Sequence, residues 1–168
     1  NKKLIPINHL QAHLLSPRLT SDLKFPYLCL LVSGGNTGLV LVKSPSKFIT
    51  LGSTIDDSAG ECFDKVAKAL GLDYPGGPVI EKLAIEGDPS SFLLPMPLTK
   101  IKNCNFSFSG LKTAAIDIIK KNKINKRFLN NFTASFQFTV GEIFKKKIFN
   151  ALEDLKKDNI KIKNFSIC

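Results

Sequence analysis

Leu31-Val-Ser-Gly-Gly-Asn-Thr37, Ser53-Thr-Ile-Asp-Asp-Ser-Ala-Gly-Glu-Cys-Phe-Asp-Lys-Val-Ala-Lys68 and Tyr74-Pro-Gly-Gly-Pro78 follow one another closely in the chain. Together they decide the fold. The first continues an apolar run, residues 27–33, that Pro26 opens and that reads as a strand buried on both faces. Gly34-Gly35-Asn36 turns it into a second strand, 37–43, and residues 48–55 make a third, the pattern of a hairpin meander. Ser58-Ala-Gly-Glu61 matches a capping box, in which the Ser side chain and the Glu three residues on satisfy each other's backbone amides. The helix it starts puts Ala59, Phe63, Val66, Ala67 and Leu70 on one face, and Gly71 ends it.

Outward from this stretch, Gly76-Gly77 precede Pro78 in the first turn of a short helix predicted to reach Glu86. Residues 106–108 read as a short strand, with Ser109 capping a helix over 110–121. Amphipathic spacing fills 128–155 with one long helix or two. On the other side, Asn8 caps a helix running to about Arg18. Residues 162–168 read as a buried strand that stops without a turn, and residue 1 is Asn, so a fragment is expected. Three antiparallel strands followed by alternating helix and strand give an α/β fold.

At 168 residues the chain can bury one core, or one lobe with part of another. The net charge is +10, carried by lysine, since Arg18 and Arg127 are the only arginines. That excess suits RNA or another acidic partner, or else solvated lysine faces. Carboxylates gather between Asp56 and Asp88, while 120–126, 145–147 and 156–163 are basic. No apolar run approaches the roughly 20 residues a bilayer requires, so no membrane partner is expected. No basic-then-apolar leader opens the sequence, so export is not expected. Cys29, Cys62, Cys104 and Cys168 form no CxxC pair and read as reduced thiols, with Cys29 and Cys62 in the core.

Several groups could carry chemistry. His9 and His13, the only histidines, lie one helical turn apart, where two imidazoles bind one metal ion or simply face solvent. Leu10 occupies the place of the general-base Glu in a His-Glu-x-x-His protease, so zincin-type proteolysis is excluded. Ser33-Gly34-Gly35 is either an anion-binding loop with exposed amides or a plain hairpin turn. Asp57, Glu61 and Asp64 stand at i, i+4, i+7 and could hold ribose hydroxyls or Mg²⁺. Alternatively Asp56 and Asp57 complement the helix dipole and Asp64 pairs with Lys68. Gly110-Leu-Lys112-Thr113 imitates a P-loop, but Asn105 stands where its first glycine belongs.

Asn8-His-Leu-Gln-Ala-His13, Leu31-Val-Ser-Gly-Gly35, Ile55-Asp-Asp-Ser-Ala-Gly-Glu-Cys-Phe-Asp-Lys65, Tyr74-Pro-Gly-Gly-Pro78 and Phe106-Ser-Phe-Ser-Gly-Leu-Lys-Thr113 occur in that order across residues 8–113. As a set they resemble the tRNA N6-adenosine threonylcarbamoyltransferase family, formerly called glycoprotease or O-sialoglycoprotein endopeptidase. The resemblance implies the actin/hexokinase-like (ASKHA) fold. Residues 1–25 would end the first lobe and carry the histidine helix; residues 26–168 would be most of the second.

It also implies transfer of a threonylcarbamoyl group from threonylcarbamoyl-adenylate to N6 of adenosine 37 in tRNA. His9 and His13 match the family's histidine metal ligands for Fe or Zn, with a third, carboxylate ligand expected beyond Cys168. Leu31, Val32, Ser33, Gly34 and Gly35 match its substrate loop, and Asp64 and Gly77 match further substrate contacts. Catalytic residues stay unassigned. Implied partners are tRNA, threonylcarbamoyl-adenylate, an inactive paralogue and a P-loop ATPase, in the cytoplasm or, in a eukaryote, an organelle.

Some positions depart from the family pattern. Gln11-Ala12 replaces the usual Glu-Gly, and Asn36 replaces the usual His. An upstream glycine loop and a downstream Gly-Gly-x-x-x-Asn loop are not in this sequence, so the isolated chain is expected to be inactive. The alternative is a non-catalytic remnant or paralogue that acts as a binding or partner module.

Overall fold

A computed structural model describes residues 2–168. β1 (Tyr27–Val32), β2 (Thr37–Ser44) and β3 (Lys47–Ser53) form the expected antiparallel meander. Alternate residues of the two inner strands face opposite cores, which is why both strands read as continuously apolar. Leu28, Leu30, Leu39 and Leu41 face the larger core, while Tyr27, Cys29, Leu31, Val40 and Val42 face the smaller one.

The smaller core is closed by α1 (His9–Leu15), which Asn8 caps through Gln11 N at 3.1 Å. Leu14 of α1 is buried, and the Tyr27 hydroxyl donates to its carbonyl at 2.7 Å. Pro17 tightens the continuation into a 3₁₀ turn, Ser16–Leu19, so the α-helix stops short of Arg18. The larger core is packed by α2 (Ala59–Ala69), α3 (Gly76–Ala84), α4 (Ser109–Lys121) and α5 (Lys126–Lys157). Residues 128–155 thus belong to one continuous helix, capped by the Asn125 side chain. Its phenylalanines form an aromatic seam, in which Phe132 and Phe128 stack and Phe92 meets both edge-on. Gly71 closes α2 at φ +72°, a conformation that favours glycine.

Four expectations change. The final strand, β4 (Asn164–Ile167), pairs in parallel with β1, Tyr27 opposite Asn164, giving the sheet order β3-β2-β1-β4. It is therefore a partnered edge strand, and its pattern alternates half-buried and exposed residues. Residues 106–108 form no strand: Phe106 makes a single bridge to Thr54, because the next amides turn to Asp56. Ser109 does not cap α4; it is the first helical residue, and its hydroxyl donates to Asp56 at 2.8 Å. Gly76 and Gly77 lie inside α3, which ends at Ala84. All four cysteines are free, with Cys29, Cys62 and Cys104 buried. No helix among the described residues is long and apolar enough to cross a membrane.

Candidate functional site

The turn between β1 and β2 is tied up from within. Ser33 N donates to Asn36 O at 2.8 Å, and Asn36 N donates to Ser33 Oγ at 3.0 Å. Ser58 Oγ donates to Gly34 O at 2.6 Å while accepting from Glu61 N at 3.1 Å, so the capping residue of α2 also grips the turn. A trans peptide carries its C=O and N–H in opposite directions, so this grip aims the Gly35 N–H away from Ser58. Gly34 and Gly35 are exposed. The start of α2 lies against the turn: a Cβ on Gly60 would fall 2.6 Å from Ser33 O and 2.9 Å from Gly34 N. Only a glycine allows that approach.

Asp64, one turn further along α2, accepts from Gly76 N at 2.8 Å through Oδ1. The carboxylate thus caps α3, rather than pairing with Lys68, and keeps Oδ2 for a ligand. The structure brings Val32, Gly34, Asp64 and Gly77 around one concavity of about 360 Å³, with Gly60 and Phe144 completing its wall. Of the other expected substrate residues, Leu31 is buried in β1, and Ser33 and Gly35 belong to the turn at its rim. Main-chain groups, one carboxylate and an apolar wall can hold a ribonucleotide: amides on phosphate, carboxylate on ribose, side chains on the base.

Asp56 and Asp57 serve α4 rather than the dipole of α2. Asp56 accepts from Ser107 Oγ (2.5 Å), Phe108 N (2.8 Å), Ser109 N (3.3 Å) and Ser109 Oγ (2.8 Å). Burial opposes its charge, but these bonds together hold its pKa below the ordinary carboxylate value. Asp57 pairs with Lys112 in the first turn of α4 and, at 3.5 Å, with Lys65. Of the expected carboxylate stripe, Glu61 and Asp57 are thus paired with Lys65 and Lys112, and Asp64 gives one oxygen to the Gly76 amide.

His9 and His13 converge, their Nε2 atoms 2.9 Å apart on the outer side of α1. Two imidazole nitrogens meeting at one point suit a single Fe or Zn ion as two of its ligands. Among the described residues no third His, Cys, Asp or Glu joins them.

Two features carried no signal in the sequence. Phe144 reaches the concavity from the middle of α5, where it packs on Phe106 and Phe108, ring centroids 5.7 and 6.0 Å away. Lys147, one turn on, is wholly buried and donates to Leu98 O (2.8 Å), Ile101 O (3.3 Å), Asn103 O (3.1 Å) and Asn103 Oδ1 (2.9 Å). Desolvation lowers its pKa. It holds the loop before Phe106, in which Leu98 sits at φ +58°. Their partners lie more than 30 residues away in sequence, so no local spacing could reveal them.

The profile of the tRNA N6-adenosine threonylcarbamoyltransferase (TsaD) family matches residues 1–165. The chain belongs to this family. Among similar proteins, the tRNA N6-adenosine threonylcarbamoyltransferase of Wolbachia pipientis wMel is 46% identical over 166 residues, 99% of this chain and 50% of the relative. That of Rickettsia massiliae is 52% identical over 152 residues, 90% of this chain and 44% of its own length. The chain spans about half the length of the curated relatives it matches.

Proposed function

We propose that the chain is the central part of a threonylcarbamoyl transferase that acts on adenosine 37 of tRNA. One observation carries this reading: the Gly34 turn, Asp64 and Gly77 line a single concavity in a member of this family. In the reaction, N6 of adenosine attacks the carbamoyl carbon of threonylcarbamoyl-adenylate. The new N–C bond forms as the bond to the phosphate oxygen breaks; AMP leaves, and N6 loses a proton to solvent.

The chain's own groups hold the donor. The free amides of Gly34 and Gly35 take the phosphate and acyl oxygens, where negative charge develops. Asp64 Oδ2 accepts from ribose hydroxyls, while the Gly76 amide fixes the other oxygen and so the direction of the carboxylate. Phe144 and Phe63 make the apolar wall against the base and exclude water from it. A metal ion on His9 and His13 would supply a Lewis acid that polarises the transferred carbonyl. Within the actin/hexokinase-like fold, residues 26–168 would form most of the second lobe and residues 1–25 the end of the first.

The test is transfer of labelled threonylcarbamoyl to tRNA by the full-length protein together with its pathway partners. Transfer that His9→Ala or His13→Ala abolishes is the expected result. Unchanged rates in those variants would remove the metal role, and no transfer by the unaltered protein would leave a binding module.

A further inference from the structure

Half of the net charge of this chain lies in eight residues. Lys120, Lys121, Lys123, Lys126 and Arg127 supply five cations, and no Asp or Glu occurs from Ile118 to Gly141. The structure puts these five at one corner, where α4 ends and α5 begins, and every residue from Lys120 to Arg127 is exposed. Only Lys126 meets a carboxylate among the described residues, Glu86 at 3.5 Å. Elsewhere Lys24, Lys65, Lys145 and Lys157 each lie within 3 Å of an acidic oxygen, closer than the Lys126–Glu86 contact here.

The corner also has shape. Lys123 and Arg127 line a concavity of about 460 Å³ together with Asn122, Asn125, Asn131 and Ser91. Its polar lining is rich in hydrogen-bond donors, which suits anionic oxygens. The first turn of α5 contains no acidic residue, and the Lys126 and Arg127 amides find no acceptor among the described residues. Apart from the Lys126–Glu86 contact, no ion pair among the described residues involves this corner.

We infer that the α4–α5 corner is a docking surface for the phosphate backbone of an RNA, formed by Lys120, Lys121, Lys123 and Arg127. The inference rests on the transferase reading only for its choice of RNA among polyanions. Arg127 and Phe144 stand seventeen positions apart on one helix, about 25 Å. An RNA adenosine presented to a donor held beside Phe144 would thus leave the stem of that RNA within reach of the corner. Lysine and one arginine on phosphates position a nucleic acid without reading its sequence. The corner would therefore grip different tRNAs alike and leave selection to the site.

The experiment measures binding of the 168-residue chain to an anticodon stem-loop RNA by fluorescence anisotropy across a salt series. The corner variant is Lys120→Gln, Lys121→Gln, Lys123→Gln, Arg127→Gln. A matched variant removes the same charge from Lys82, Lys100, Lys102 and Lys146, all exposed and without ion pairs among the described residues. Thermal unfolding first establishes that both variants fold.

The corner variant is expected to bind at least tenfold more weakly, with the slope of log K against log salt smaller by about 2 to 3. The matched variant is expected to change affinity less than threefold. Equal losses in the two variants, or no loss in the corner variant, would overturn the surface. Heparin or poly-glutamate competing as well as RNA would overturn the choice of RNA. Threonylcarbamoyl transfer by the full-length protein is scored separately: its presence with an unaffected corner variant removes this surface and keeps the enzyme.

Discussion

The corner around the Gly34 turn and the histidine helix are built to different standards. Around Gly34, Gly60, Asp64 and Gly77, each positioning contact has a second contact behind it: Ser58 holds both the turn and α2, and Asp64 holds α3. The corner rests on fully buried Phe106 and Phe108. On the opposite face of the sheet, α1 is seven residues long and anchors mainly through Leu14 and the Tyr27 hydroxyl. Its histidine rings meet each other through their Nε2 atoms. A site made of main-chain groups must be preformed by packing, because amides cannot be steered by rotamers. A metal site made of flexible side chains can wait for its ion to order it.

Phe108→Ala should test that contrast most severely. Removing a fully buried ring beneath the corner is expected to cost about 3–5 kcal/mol, read by urea unfolding. A loss under about 1 kcal/mol would mean the corner does not rest on this core. Gly60→Ala comes next, at about 1–3 kcal/mol, because its methyl would meet backbone that can yield only by moving the turn. Here binding should suffer more than stability: a fluorescent adenylate should be lost from a chain that still melts cooperatively. Retained affinity would show that the turn is not the phosphate cradle.

Asp56→Asn is a smaller change with a signature in pH. The variant is expected to lose about 1 kcal/mol of capping at neutral pH. The folded pKa of Asp56 is depressed, so its contribution is complete above the ordinary carboxylate value and fades as pH falls through the folded one. The gap in melting temperature between wild type and variant should therefore be widest near pH 7 and close at acid pH. A gap that stays constant down to pH 2 would exclude a role for the charge.

Least of all should come from His9→Ala and His13→Ala, below about 0.5 kcal/mol each without metal. Each should nevertheless abolish any rise in melting temperature produced by Zn²⁺. Preservation of that rise in either variant would place the ion elsewhere.

Much of the corner was legible because its signals are local. Ser58 and Glu61 announce α2, glycine and asparagine announce the turn, and continuous apolar runs announce β1 and β2. The junction at α4 was misread because Ser109 looks like a cap, whereas the true acceptor, Asp56, comes from 53 residues earlier. The edge strand was misread for a related reason: a short apolar run shows that it joins a sheet, but not which strand it joins or how deeply. Phe144 and Lys147 lie in a helix whose pattern reports only which residues face inward, so their partners could not be foreseen.

The parallel pairing of β4 with β1 sets an order of events during synthesis. β1, β2 and β3 occupy 27 consecutive residues and can associate as soon as they leave the ribosome, whereas Asn164 emerges long after Tyr27. Until then one flank of β1 offers unpaired amides and carbonyls beside an apolar strand, the arrangement that invites pairing with a second nascent chain. The Gly34 turn can therefore be assembled early, while the sheet that carries it keeps an adhesive margin until the last few residues of this segment arrive.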